Sequence, residues 1–336
     1  MKKFLFSFVA LFCVTISFAQ SSLLATLSHE GQISTFYGAT ALREAHSAAT
    51  HGDIITLSSG TFVSVNITKA ITLRGAGMAI DTVHNTLPTV ISGDFIINIA
   101  DSVSQKLTME GVYSNDYMGY VNVNNPVFLK SRFKSIGYNN NSRTDKIKDA
   151  MFVHCRIAEN IYLLDNCSAS LINCIVGNPY SSNDKTSNFE FTNCVVYKYN
   201  NVRASSYINC VLISNTNYDN LITLNGSCSA YNNISNNKGS FYNIPNSTNR
   251  TVEKIETLFK TYKGGEFKNL DSENFELTDA AKAKYLGSDG TQVGIYGGML
   301  PYNTTPSNPQ ITKCKVASKS TADGKLSVDI EVKAAE

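Results

Sequence analysis

Apolar and small residues recur in one short phrase along the middle of the chain. Its copies are Phe152-Val153-His154-Cys155-Arg156-Ile157, Leu171-Ile172-Asn173-Cys174-Ile175-Val176, Phe191-Thr192-Asn193-Cys194-Val195-Val196 and Tyr207-Ile208-Asn209-Cys210-Val211-Leu212. A degenerate copy follows at Ala230-Tyr231-Asn232-Asn233-Ile234-Ser235, and an earlier relative precedes them at Phe128-Leu129-Lys130-Ser131-Arg132-Phe133. The steps from Ser131 to Cys155, Cys174, Cys194, Cys210 and Asn233 are 24, 19, 20, 16 and 23 residues. That spacing is too short for a helical-pair repeat and too irregular for a coiled coil, and it suits one turn of a parallel β-solenoid.

The flanks extend this reading. Leu42, Ala45 and Ala49 form a helix-like stripe over residues 39–50, closed by His51-Gly52, and β-rich runs follow at 54–57, 61–65 and 71–73. A solenoid needs its open end covered, so residues 38–75 are expected to be the N-terminal cap and first turns. The runs 90–91, 95–99 and 107–109 continue the strands. Asparagines, as at 139–141, 200–201 and 236–237, mark turns, because asparagine tolerates left-handed backbone and can bond to its copy on the next rung. Residues 253–262 read as a short helix. Beyond residue 300, a polar, proline-bearing linker (301–310) leads to a tail (311–336) in which Leu326, Val328, Ile330 and Val332 alternate with polar residues, the pattern of a β-hairpin with one buried face.

Met1 to Ala19 has the layout of a secretory signal: Lys2-Lys3, an apolar run, then Ser17-Phe18-Ala19 before Gln20. The domain expected for residues 20–300 is therefore exported, to the periplasm, the cell surface or the medium, and no other apolar stretch has the length of a membrane span. A formal net charge of +2 gives no field that would attract nucleic acid. Outside the signal lie seven cysteines: 155, 167, 174, 194, 210, 228 and 314. Stacked on consecutive rungs about 4.8 Å apart, parallel Cβ vectors hold the Cβ atoms outside the roughly 3.5–4.5 Å a disulfide needs, so stacked free thiols are expected. No C-x2-C spacing occurs, and neither a metal nor a cofactor is expected.

Leu42-Arg43-Glu44-Ala45, Gly52-Asp53-Ile54-Ile55-Thr56-Leu57, Gly60-Thr61-Phe62 and Ile71-Thr72-Leu73-Arg74-Gly75 resemble the opening segment of pectin-lyase-like proteins. The Asn-Cys rungs and Asp289-Gly290 with Val293-Gly294-Ile295-Tyr296-Gly297-Gly298 also look like that group. The resemblance covers roughly residues 38–300 and implies a right-handed parallel β-helix, all-β, with an N-terminal helical cap and a C-terminal β-hairpin tail. The Arg-x-Pro-x-x-Arg segment of pectate-lyase-like enzymes does not occur here. Nor do the Asn-Thr-Asp, Asp-Asp, Gly-His-Gly and Arg-Ile-Lys motifs of polygalacturonase-like members, and no pectin-methylesterase-like signature is recognisable.

Two groups of residues are candidate sites. Proton abstraction beside a carboxylate needs a base and a cation, and Arg143, Asp145, Lys146, Lys148 and Asp149 form the densest such cluster, on a loop expected after Ser131. Alternating charge there more often serves solubility. Rung acids such as Glu159, Asp165, Asp184, Glu190 and Asp219 stand at differing offsets from the nearest rung cysteine, so no pair is forced into register as glycoside hydrolysis requires. His154 more often satisfies a neighbour than acts as a base. Tyr138, Tyr162, Tyr180, Tyr199 and Tyr218 follow each rung's small residue by a few positions and could form a platform for sugar rings, or simply cover rung edges. The sequence thus points to a non-catalytic exported β-helix that binds polysaccharide. The alternatives are a lyase or hydrolase of uronate-containing polymers and a structural or adhesive envelope protein.

Overall fold

The computed structural model describes residues 23–82, 86–137, 146–163, 166–181, 187–198, 205–214, 224, 227–242, 244, 248–264, 273–307, 309–317, 319–321 and 323–333. The segment read as a signal sequence, the asparagine runs 139–141 and 200–201, and Tyr138, Arg143, Asp145, Tyr199 and Tyr218 lie outside them.

A parallel β-solenoid of about 8 turns carries the repeats. Each turn contributes a strand to sheet A, passes a tight corner, and contributes a strand to sheet B. The corner residue before each rung's small residue has left-handed backbone: Lys130, His154, Asn173, Asn193, Asn209 and Asn232 have φ between 45° and 56°. Four of these six are asparagine because an asparagine side chain tolerates that conformation at little cost. Gly111 (φ 65°) continues the column toward the N-terminus.

The small residues that follow point inward and hold the rungs together. The N–H of Cys155 donates to the sulfur of Cys174, Cys174 to Cys194, and Cys194 to Cys210, each at 3.4 Å. The N–H of Cys210 donates to Oδ1 of Asn233 at 2.7 Å, and Asn233 donates in turn to Asn249. Each of these thiols donates to a carbonyl, as Cys194 does to Leu171 O. They are free and fully buried, as the parallel stacking requires. Burial pushes the thiols of Cys174 and Cys210 well up. Beside them an inward column runs through Met109, Phe128, Phe152, Leu171, Phe191, Tyr207 and Ala230 in register. Phe128 stacks on Phe152, and Phe191 on Tyr207, each pair with centroids 4.7 Å apart and planes 12° apart.

Helix α1 (Ala41–Ala48) buries Ala41, Leu42 and Ala45 over the open N-terminal end. A hairpin absent from the sequence reading adds to this cap: Leu24–His29 pairs antiparallel both with Gln32–Tyr37 and with Ile54–Leu57. Its turn, Glu30-Gly31, has positive φ at both positions, as a two-residue type I′ turn demands. At the far end, residues read as a helix over 253–262 form a 3-10 turn, Ile255–Leu258, and helix α2 covers Asp279–Lys284. Gln310–Val316 and Val328–Lys333 form a separate antiparallel hairpin. No described helix is long and apolar enough to cross a membrane.

Candidate functional site

Of the charged cluster, Lys146–Lys148 is not loop but strand. It pairs with Asn122–Asn124 because Ile147 enters the core. Lys148 and Asp149 are exposed. Of the tyrosines, Tyr162 and Tyr180 are in register on adjacent rungs, both half-buried, with centroids 5.4 Å apart and planes at 61°. That tilted pair is an edge-to-face contact, not a flat shelf. Identical amides pair two residues earlier on the same rungs, where Asn178 donates to Asn160 at 3.0 Å, and on earlier rungs Asn122 donates to Asn98 at 3.0 Å. His154 satisfies a neighbour: its Nε2 lies 2.9 Å from the carbonyl of Leu300, and burial lowers its pKa.

A shallow groove of about 370 Å³ crosses the outer face of sheet A. Thr108, Val127, Met151, Ser170, Glu190, Ser206 and Ser229 form one outward column in register there. Leu129, Val153, Ile172, Thr192 and Ile208 form the next column, half-buried and mainly aliphatic. The groove itself is lined by Val127, Met151, Ser170 and Glu190 of the first column together with Lys106, Asn125, Asp149, Ser168 and Asn188, and the aliphatic column runs beside it. The hydroxyl of Ser168 donates to the Asp149 carboxylate at 2.9 Å and accepts the Asp149 N–H at 2.8 Å. The Ser170 hydroxyl donates to Glu190 at 2.9 Å. Asp149, from the predicted cluster, thus shares a groove with Glu190. Glu190 stands four residues before Cys194 just as Ser170 stands four before Cys174 and Ser206 four before Cys210. That constant offset was the available signal, and it aligns Glu190 with the serines of neighbouring rungs and not with another acid.

The outer face of sheet B is covered differently. Its column runs Tyr113, Arg132, Arg156, Ile175, Val195, Val211 and Ile234. The aliphatic half packs under Leu258, Phe259, Phe275, Leu277, Val293 and Ile295 in a second apolar core. From there residues 285–307 return along the column of left-handed corners as a strap. Asn173 donates to the carbonyls of Ile295 (2.7 Å) and Gly297 (2.8 Å), and Asn209 accepts from Ser288 at 3.0 Å. Ser307 ends the strap on the buried Glu110, its N–H at 2.8 Å and its hydroxyl at 2.6 Å from the carboxylate. Two of the corner asparagines, Asn173 and Asn209, therefore bond to the strap through their side chains.

Where the strap crosses the arginine rungs, a cleft of about 350 Å³ remains between Arg132, Arg156, Tyr296, Tyr302, Asn303 and Thr304. The Arg132 guanidinium lies 4.3 Å above the Tyr113 ring, and Arg156 donates to the backbone carbonyl of Glu273. Burial raises the pKa of Tyr302 and Tyr296, with the charge of Arg156 opposing the rise in both. No group of three or more His, Cys, Asp or Glu able to hold a metal ion occurs among the described residues.

No family model, no curated protein and no solved structure matches the chain.

Proposed function

We propose that this is an exported, non-catalytic parallel β-helix protein of the pectin-lyase-like kind that binds an extended polysaccharide along the outer face of sheet A. The observation that carries the reading is the pairing of two parallel columns on that face, one mainly of hydroxyls with the Glu190 carboxylate but interrupted by Val127 and Met151, the other mainly aliphatic. A sugar ring has the same two characters, an apolar C–H face and a rim of hydroxyls. A solenoid offers them again at each rung, as a polymer does at each unit. The uncovered groove supports this reading, since the aliphatic half of the outer face of sheet B lies under the second core.

A lyase or hydrolase acting in the same groove draws support from Asp149, Glu190 and Lys106 lining it together. Both carboxylates are exposed, however, and stabilisation of developing charge gains most where water is excluded. Binding is the better reading. The test is a panel of immobilised neutral and acidic polysaccharides, with ultraviolet monitoring for unsaturated products. We expect retention of at least one polymer without product, and a loss of about tenfold in affinity for Glu190→Ala, roughly 1.4 kcal/mol. Product formation abolished by Glu190→Gln would establish the enzyme instead, and retention of no polymer would remove the glycan reading.

A further inference from the structure

The hydrogen bonds in the groove of sheet A leave one rung with acceptors and no hydroxyl protons to offer. Ser168 and Ser170 stand two residues apart on one strand, so both face outward. Asp149, on the preceding rung, leans onto Ser168, and Glu190, on the following rung, leans onto Ser170. A hydroxyl carries a single proton. Ser168 gives its proton to the Asp149 carboxylate and Ser170 gives its own to Glu190, each at 2.9 Å. The Ser168 oxygen also takes the Asp149 N–H. What this rung turns toward a ligand is therefore two carboxylates and the remaining lone pairs of two hydroxyl oxygens.

The charge is as one-sided as the hydrogen bonding. Asp149 and Glu190 are both exposed, and neither forms an ion pair with a described residue. Lys106, the cation in the lining, stands in the same column as Asp149 but two rungs before it, roughly 9.6 Å along the solenoid. Lys148 precedes Asp149 in the chain but belongs to the strand paired with Asn122–Asn124, outside the lining. A uronate would bring acceptors and negative charge to this rung and match neither. A neutral sugar would bring hydroxyl donors, yet it would cover two carboxylates without a counter-charge, at a cost in desolvation. An ammonium brings three N–H donors and the opposing charge on one atom. Val153 and Ile172, in the column beside it, offer apolar contact to the C–H face of the ring.

We propose that the rung of Ser168 and Ser170, flanked by Asp149 and Glu190, is an ammonium subsite, and that the polymer held in the groove is an amino-sugar polymer with free amines. The inference rests on the groove reading above and narrows it to one class of substrate.

The test titrates the full chain by calorimetry with β-1,4-linked oligomers of equal length built from glucosamine, N-acetylglucosamine, glucose or mannuronate. At about pH 5.5 the glucosamine amine is protonated and ordinary carboxylates are ionised. The glucosamine oligomer is expected to bind more tightly than the N-acetylglucosamine and glucose oligomers by about tenfold, with no binding of mannuronate and with the preference shrinking as salt rises. Glu190→Gln and Asp149→Asn each keep the side-chain shape and remove one charge. The preceding rung already carries Asn125 with the same left-handed backbone as Asp149, so the second change introduces no strain. Each should cut the ratio of glucosamine to glucose-oligomer affinity by about threefold or more. Glu253→Gln, which removes an exposed carboxylate outside the groove, should leave that ratio unchanged. Thermal unfolding identifies any variant that fails to fold, and the wild-type selectivity series stands without them. Equal affinity for the glucosamine, N-acetylglucosamine and glucose oligomers would overturn the ammonium subsite while the groove reading stood. A preference for mannuronate, or an unchanged ratio in both folded groove variants, would overturn it as well. Binding of none of these oligomers while the polysaccharide panel retains another glycan would do the same, whereas retention of no polymer would remove the groove reading and this inference with it.

Discussion

At the corner of each rung, two neighbouring positions divide the labour. One residue, an asparagine on four of the rungs, accepts the left-handed backbone, and on the cysteine and Asn233 rungs the next residue turns a thiol or amide inward to receive the N–H of the preceding rung. The free, stacked thiols were legible because spacing and parallel geometry exclude a disulfide. The outward use of the asparagines was not, because their partners, Ile295, Gly297 and Ser288, lie far along the chain. Histidines in the cap give a residue-scale prediction. His46 is 5 % exposed and accepts the Thr68 N–H, and burial lowers its pKa to about 4. The unfolded chain takes up this proton below about 6.5 while the folded chain refuses it until about 4, so stability falls as pH drops through that window. His29 has the opposite sign. Its hydrogen bond to Asp53 at 2.8 Å raises its pKa, so its contribution is present below about 6.5 and is lost as pH rises through the raised value. Chemical denaturation at pH 7 and at pH 4.5 should show His46→Gln recovering on the order of 2 kcal/mol of the acid loss seen in the parent. An unchanged pH slope in the variant would contradict the assignment.

Among the elements, the strap of residues 285–307 has the largest consequences, since it closes the second core and forms one wall of the arginine cleft. Its glycines have a steric reason. Gly298 has φ 78°, and a Cβ there would lie 2.3 Å from Nδ2 of Asn193. Gly298→Ala should therefore lift the strap locally, costing about 2 kcal/mol. Amide hydrogen exchange should show lost protection over residues 293–302 with the rungs unaffected, whereas uniform loss across the rungs would show that strap and solenoid do not open separately. The sequence displayed Gly294-Ile295-Tyr296-Gly297-Gly298 as a resemblance, but its path across the corners depends on contacts that no local pattern encodes. The same holds for Lys146–Lys148, whose alternating charges concealed a strand anchored by the single apolar Ile147. The Leu24–Tyr37 hairpin had a local signal, the Glu30-Gly31 turn, but its strands join the fold by antiparallel pairing outside the repeat. The Arg132 and Arg156 pair stood in the repeated phrase itself, directly after Ser131 and Cys155, at the position that Ile175, Val195 and Val211 fill on later rungs.

For the whole molecule, regularity is what links structure to function. Rungs at a fixed spacing turn one favourable contact into a row of them, and a row fits an extended polymer better than a compact ligand. The groove on sheet A is open while the aliphatic half of the outer face of sheet B lies under the second core, so the proposed polymer track lies on sheet A and the arginine cleft stands apart from it. The hairpin of Gln310–Val316 and Val328–Lys333 sets Ile311, Cys314 and Val316 opposite Val332, Ile330 and Val328, matching the alternation expected of the tail. Val328, Ile330 and Val332 are all more than half exposed, so the face expected to be buried is open. The architecture was readable from the repeat, whereas the choice of face was not, because it depends on where the C-terminal segment lies. The most direct test of the central claim is calorimetric titration with oligosaccharides of increasing length cut from whichever polymer the panel retains. Binding along the rungs predicts that affinity climbs with each added sugar until the ligand spans the groove and then levels off. A disaccharide that binds as tightly as the longest oligomer would contradict it.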